Sequence, residues 1–293
     1  MPGSAARRKL VPLSTRVRRR SSTIALFAPS LVAVGFVVIV PLALMFVRSF
    51  YEHVPASEDR PALVWSNYAE FVSGSVQRAI MARTLIMGLA VAGLALLLAF
   101  PCAYVLSRSS SRVRAVGLLI ILVPLMTSVV VRSYGWMILL ANDGPFAAVF
   151  RFFGIRDLKL MYTSLGSVIA LTQVLLPFMV MSLFSVMQQI DPRLEEAVQS
   201  LGGGMRHVFR DVLWPLSRPG VAAGTLLVYV LAISAYATPL LVGGSGGSVM
   251  ATYIFTTATV GNNWPQASAA AFILLGIVVL LTSIQSRLLG RRS

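Results

Sequence analysis

The stretch DPRLEEAVQSLGGGMRHVFRDVLWP, Asp191 to Pro215, is a polar island in an otherwise apolar chain, and its reading decides how the chain is threaded. It divides into two short amphipathic runs. Asp191 suits a helix N-cap and Pro192 the first helical position, while Glu195 and Glu196 lie close enough to the start to favour the positive end of the helix dipole. Leu194, Ala197, Val198 and Leu201 recur at i, i+3, i+4 and i+7, which sets an apolar stripe opposite the carboxylates. Such a stripe needs a partner surface. Gly202, Gly203 and Gly204 end the first run, and Met205, Val208, Phe209, Val212 and Leu213 start a second, which Pro215 is expected to close.

The surroundings of this island are those of a membrane protein. Hydrophobic residues make up 57% of the 293 and charged residues only 12%, with a mean hydropathy of +0.80, a composition foreign to soluble domains. The net charge of +15 would suggest nucleic acid in a soluble chain, but here the basic residues gather at the ends of apolar runs. Arg7, Arg8, Lys9, Arg16, Arg18, Arg19 and Arg20 precede an apolar run from Ile24 to Val47. That run is too long for a signal-peptide core and has no small-residue cleavage site, so it reads as a transmembrane helix. A hydrocarbon core of roughly 30 Å needs about 20 apolar residues in helical form. Five further runs qualify: Thr84 to Leu106, Ala115 to Leu140, Ser164 to Met187, Val221 to Val242 and Ala267 to Ile284. The expectation is an all-α, six-span polytopic protein, with a basic segment 1–23, a transmembrane domain 24–287 interrupted by the loop 188–218, and a tail 288–293.

Orientation follows from the loops. A cytoplasmic N-terminus also puts inside the loop with Arg108, Arg112 and Arg114, the central loop with Arg193, Arg206, Arg210 and Arg218, and the tail with Arg287, Arg291 and Arg292. The opposite side carries fewer cations and collects Glu52, Glu58, Asp59, Glu70, Asp143 and Asp157. Both termini are therefore expected in the cytoplasm, as is the polar island.

Chemistry within the chain is sparse. No phosphate-binding glycine loop, catalytic triad or histidine cluster is present, and the two histidines, His53 and His207, fall in loops on opposite sides. No catalytic residues, metal ligands or cofactor are expected. The single cysteine, Cys102, lies in an apolar run beside Pro101 and allows no disulfide within the chain. The central parts of all six spans are read as free of Asp, Glu, Lys, Arg and His, whereas ion-coupled transporters commonly depend on intramembrane ionisable groups. An energy source outside the chain is implied. Pro41, Pro101, Pro124, Pro177 and Pro239 are expected to kink their spans, and Gly220 with Gly224 makes a small-xxx-small pair suited to close helix contact.

Glu196, Ala197, Val198, Gly202, Val212, Trp214 and Pro215 match in type and spacing the cytoplasmic EAA loop of permease subunits in ABC importers, which the central stretch therefore resembles. That family pattern is Glu-Ala-Ala, three residues, Gly, nine residues, Ile, any residue, Leu, Pro. Val198, Val212 and Trp214 depart from it but stay apolar. The resemblance implies a type I importer fold and a loop, with Glu195, Glu196, Ala197, Val198, Leu201, Gly202, Val212 and Pro215, that docks on an ATPase dimer; ATP and magnesium would reside on that partner. It further implies a second permease chain, an extracytoplasmic solute-binding protein and a bacterial inner-membrane location, in contact with lipid and not with nucleic acid. The same amphipathic pattern alone would also suit a helix lying on the membrane surface.

Pro124, Ser128, Arg132, Tyr134, Trp136 and Gly144, then Leu176-Pro177-Phe178, Pro239 with Gly243 and Gly244, and Asn263-Trp264-Pro265 are similar to spermidine/putrescine permeases. The wider group imports ferric ion, thiamine, phosphonates and opines as well. For the solute pathway the candidates are Tyr134, Trp136, Asn142, Gln173, Tyr229 and Tyr236. Tyr229, Ala232 and Tyr236 would share a helical face, and aromatic faces can steady a cation. Tyrosine and tryptophan near span ends also serve as interfacial anchors. A secondary transporter or channel, or a membrane scaffold, would leave the central loop unexplained.

Overall fold

Apolar runs that cross lipid must satisfy their backbone groups internally, and the computed structural model, which describes residues 34–290 apart from 56, 58 and 155–158, is accordingly helical. Among the described residues the only β-type pairing is one isolated bridge, Glu52 to Arg60. The basic segment 1–23, the start of the first expected span, Glu58, Arg156, Asp157, Arg291 and Arg292 lie outside the described residues.

The helices, in chain order, begin with α1 over Val34–Arg48. There follow α2 (Ser66–Ser73), α3 (Ser75–Arg108), α4 (Ser111–Leu122), α5 (Val129–Leu140), α6 (Pro145–Phe152) and α7 (Ser164–Met187). After the central loop, which holds α8 (Arg193–Ser200), come α9 (Met205–His207), α10 (Trp214–Ile233), α11 (Met250–Thr259) and α12 (Trp264–Gly290). Among the described residues four helical units are long and apolar enough to cross a membrane: α3, α7, the run Met205–Ile233 and α12. α7 has the bounds expected from sequence, and α3 and α12 extend beyond theirs.

The third expected span is not one helix. Ser111–Met126 and Val129–Phe152 meet at 98°, so that among the described residues a fifth span is counted only if this bent pair is taken as one. The cause is local. Pro124 lacks an amide hydrogen and stands in a short 3-10 turn, Val123–Met126. Thr127 then leaves helical geometry, and Ser128 caps α5 by accepting from the Val130 amide at 3.3 Å. The fifth expected span is shorter than its apolar run: α10 stops at Ile233, and the chain resumes as a wide π turn at Pro239–Gly243. Tyr236 therefore lies beyond the helix and does not share a helical face with Tyr229 and Ala232. The outer segment expected as a charge-free loop contains α11, anchored where Thr84 of α3 accepts from the Met250 amide at 2.8 Å.

The core is the contact of α3, α7 and α10. Met87, Val91, Ala95, Ala99 and Ala103 line one face of α3 at four-residue intervals, each 3% exposed or less. They meet Met179, Val180, Leu183 and Met187 of α7 and Val228 and Ala232 of α10, all fully buried. Gly220 and Gly224 bring α10 onto α7 as expected: a Cβ on Gly224 would sit 2.8 Å from Met179 Sδ, and Ser182 Oγ donates to the Gly220 carbonyl at 3.0 Å. Large apolar side chains such as Leu89, Leu97, Val131 and Ile138 face outward, the inverse of a soluble protein and the normal state in lipid.

Candidate functional site

The central loop forms a docked helix with a free outer face. Asp191 Oδ1 accepts from the Arg193 amide at 3.0 Å and so caps α8. At the other end the Gly202 amide bonds the Gln199 carbonyl at 2.9 Å and the Gly203 amide bonds that of Val198 at 3.0 Å. With Gly202 at φ +84°, this is a Schellman closure that a residue with a Cβ makes only under strain.

Helical spacing puts Leu194, Ala197 and Leu201 on one face and Glu195 on the other. The exposures agree: Leu201 is 90% exposed, Leu194 and Ala197 are exposed, and Glu195 is the one buried residue of α8. Val198 is half-buried and Glu196 exposed. The two glutamates, assigned one shared role from the sequence, thus face different surroundings. Glu195 Oε1 receives Arg108 Nε at 2.8 Å and Nη2 at 2.5 Å, and Oε2 receives the Tyr104 hydroxyl at 2.9 Å. Arg108 Nη1 also reaches the Met187 carbonyl at the end of α7, at 3.5 Å. Sequence reasoning used Arg108 only as a topological charge and gave Tyr104 no role; no spacing rule connects them to a glutamate 87 or 91 residues away.

Pro215 does not close the second run. From Met205 the chain passes through a π-helical turn, Val208–Leu213, directly into α10, with Pro215 in the first turn of that helix. A proline is tolerated there because the π turn just before it takes the chain out of the i to i−4 register, the Trp214 amide bonding the Phe209 carbonyl. Val208, Val212 and Leu213 are buried, while Phe209 and Trp214 stack loosely with Phe100 of α3, ring centres 5.2–6.2 Å apart. Beside them is an apolar groove of about 550 Å³, lined by Leu96, Phe100, Pro101, Met205, Phe209 and Trp214 among others.

Of the six pathway candidates, Trp136 and Gln173 meet. Trp136 Nε1 donates to Gln173 Oε1 at 3.2 Å, tying α5 to α7, and the Trp136 ring lies 5.9 Å from Phe146. Tyr229 is buried where α10 meets α3, its ring 2.9 Å from the place of a Cβ on Gly88. Tyr236 packs on Phe255 of α11 at 4.5 Å, Tyr134 is 54% exposed on α5, and Asn142 is exposed with its carbonyl accepting from Arg151 at 3.4 Å. The expectation of charge-free span interiors needs a correction at Arg132 in α5. Its Nε and Nη1 are buried with no hydrogen-bond partner among the described residues. In the expected run Ala115 to Leu140 this arginine stands only about five residues past the midpoint, so the charge was already present in the sequence, and the bend at Pro124 places it one turn into α5. Of the acidic residues expected on the outer side, Asp59 pairs with His53 at 2.9 Å, Asp143 lies 3.8 Å from Arg151, and Glu52 and Glu70 are exposed.

The family model of the binding-protein-dependent transport system inner membrane component matches residues 93–293. The spermidine/putrescine transport system permease protein PotB of Salmonella typhimurium (strain SL1344) is 28% identical over 260 residues, covering 87% of this chain and 90% of that protein. The inner membrane ABC transporter permease protein YdcU of Escherichia coli (strain K12) is 30% identical over 215 residues, 69% of this chain and 68% of that one. In fold, the chain resembles one from the crystal structure of a bacterial alginate ABC transporter in complex with an alginate pentasaccharide-bound periplasmic protein. The TM-score is 0.70 at 15% identity, covering 94% of this chain and 96% of the other.

Proposed function

The chain belongs to the family of binding-protein-dependent transport system inner membrane components, and from that premise we propose that it carries polyamines, spermidine and putrescine, through the inner membrane. It is the multi-pass permease subunit of an ABC importer. The observation behind the solute is the similarity to PotB over 87% of this chain. The exposed carboxylates of Glu52 and Glu70 on the outer loops suit a cationic solute.

Energy enters from a partner. α8 offers Leu194, Ala197 and Leu201 as an exposed apolar face, with Glu196 beside it, to an ATPase dimer on which ATP and magnesium reside. A second permease chain completes the pathway, an extracytoplasmic binding protein delivers the solute, and both termini of this chain are cytoplasmic. The chain itself catalyses no reaction.

The test is uptake into vesicles reconstituted with this chain, its partner permease, the ATPase and the binding protein. ATP-dependent uptake of spermidine or putrescine is expected, and preference for ferric ion, thiamine, a phosphonate or an opine would overturn the assignment. Solute flux without ATP would instead favour a secondary transporter.

A further inference from the structure

We propose that Arg108 is a positioning residue that locks α8 to the ends of α3 and α7, so that displacement of α8 moves the membrane helices instead of dissipating in the loop. The proposal rests on the reading of α8 as the helix that docks on the ATPase. Along the chain α8 is joined to α7 through Asp191-Pro192 and to the second run through the turn Gly202, Gly203 and Gly204, and its orientation against α3 depends on side-chain contacts as well as on these two links. Leu194 and Ala197 face away from the protein, Val198 is half-buried, and the single buried residue of the helix is Glu195. The most buried hold on the helix is therefore a charge, with Val198 the one apolar contact beside it.

The geometry of that hold is directional. Two guanidinium nitrogens and one phenol converge on both oxygens of one carboxylate, and a third guanidinium nitrogen reaches the last carbonyl of α7. Such a fork fixes rotation as well as distance, which apolar contact does not. The ion-paired side chains are only 19% and 10% exposed, so solvent screens them weakly. Tyr104 and Arg108 are one turn apart on α3, and both belong to the same helix that continues through the core to the opposite face.

The experiment measures ATPase copurification, ATP hydrolysis and solute uptake for the full complex in vesicles at matched abundance. Arg108→Gln is expected to retain the ATPase while uptake per ATP falls about fivefold or more, and Arg108→Lys, which keeps charge without the fork, about twofold. The exchange Arg108→Glu with Glu195→Arg should recover at least about half of the wild-type ratio, where each change alone does not. An unchanged ratio in Arg108→Gln, no recovery in the exchange, or loss of the ATPase in Arg108→Gln would overturn the lock. If Arg108→Gln fails to accumulate in the membrane, Arg108→Lys together with Tyr104→Phe carries the same test, and an unchanged ratio in that double variant overturns it equally. Glu196→Lys, on the outer side of α8, separates the premises. Wild-type ATPase binding in that variant refutes the docking role, whereas lost binding there with normal coupling in Arg108→Gln refutes the lock alone.

Discussion

At the scale of single residues, the neighbours Glu195 and Glu196 show what a pattern can and cannot convey. Both were legible as carboxylates opposite an apolar stripe, but a helical step of about 100° separates their surroundings. Glu195 turns to Arg108, and Glu196 is left exposed. Glu196→Lys should consequently weaken ATPase association about tenfold or more through like-charge contact at the docking face, measured by copurification. Gly202 predicts a different defect. Its φ of +84° lies outside what proline can adopt, and its amide is bonded to Gln199. Gly202→Pro should cost about 3 kcal/mol locally and abolish uptake with the ATPase still bound, whereas Gly202→Ala should cost only ~1–2 kcal/mol and reduce uptake partially. Equal loss of ATPase binding in the glutamate and glycine variants would contradict this division. The glycine's conformation was legible because a chain that ends a helix and turns at once favours glycine. The partner of Glu195 was not, because no local rule reaches across the fold.

At the scale of elements, hydrophobic run length found α3, α7 and α12, since twenty apolar residues in lipid have one stable backbone solution. It failed where the backbone departs from a regular α-helix inside an apolar run. Ala115 to Leu140 is apolar enough on average to read as one span despite Arg132, but Pro124, Thr127 and Ser128 supply a stop and a new cap within it. Val221 to Val242 also reads as one run when only its length is counted, although the break after Ile233 falls on its less apolar stretch, Ser234 to Pro239, where the π turn begins. The close pair Gly220 and Gly224 was legible and yields a sharp prediction. Gly224→Leu would push a side chain into Met179 Sδ and Ser182 Cβ, which a Cβ alone already approaches to 2.8 and 3.0 Å. Overpacking of this kind costs ~1–3 kcal/mol. The variant should unfold in detergent at a lower temperature than wild type, as followed by tryptophan fluorescence, while Gly276→Leu, with open space at its Cβ, should not.

For the molecule as a whole, the polar contacts sort to two ends of α3. Arg83 and Thr84 bind the segment around Ser248 and Met250 at one end, and Arg108 binds Glu195 and the end of α7 at the other. At 1.5 Å per residue these ends are about 37 Å apart, more than the roughly 30 Å of a hydrocarbon core. If the arginine asymmetry puts the central loop in the cytoplasm as proposed, α11 and its flanking turns lie outside. Gly243 and Gly247 are packed against Ser167 and Thr163, so a reporter inserted there would disturb the fold it is meant to report. Single cysteines are gentler. In a Cys102→Ser background, Val260→Cys occupies a position 82% exposed beyond α11, and Arg112→Cys an exposed position near the start of α4. In intact cells a membrane-impermeant maleimide should label the cysteine at 260 and not the one at 112, and permeabilised cells should label both. Labelling of 112 alone in intact cells would invert the protein and remove α8 from the compartment that holds ATP.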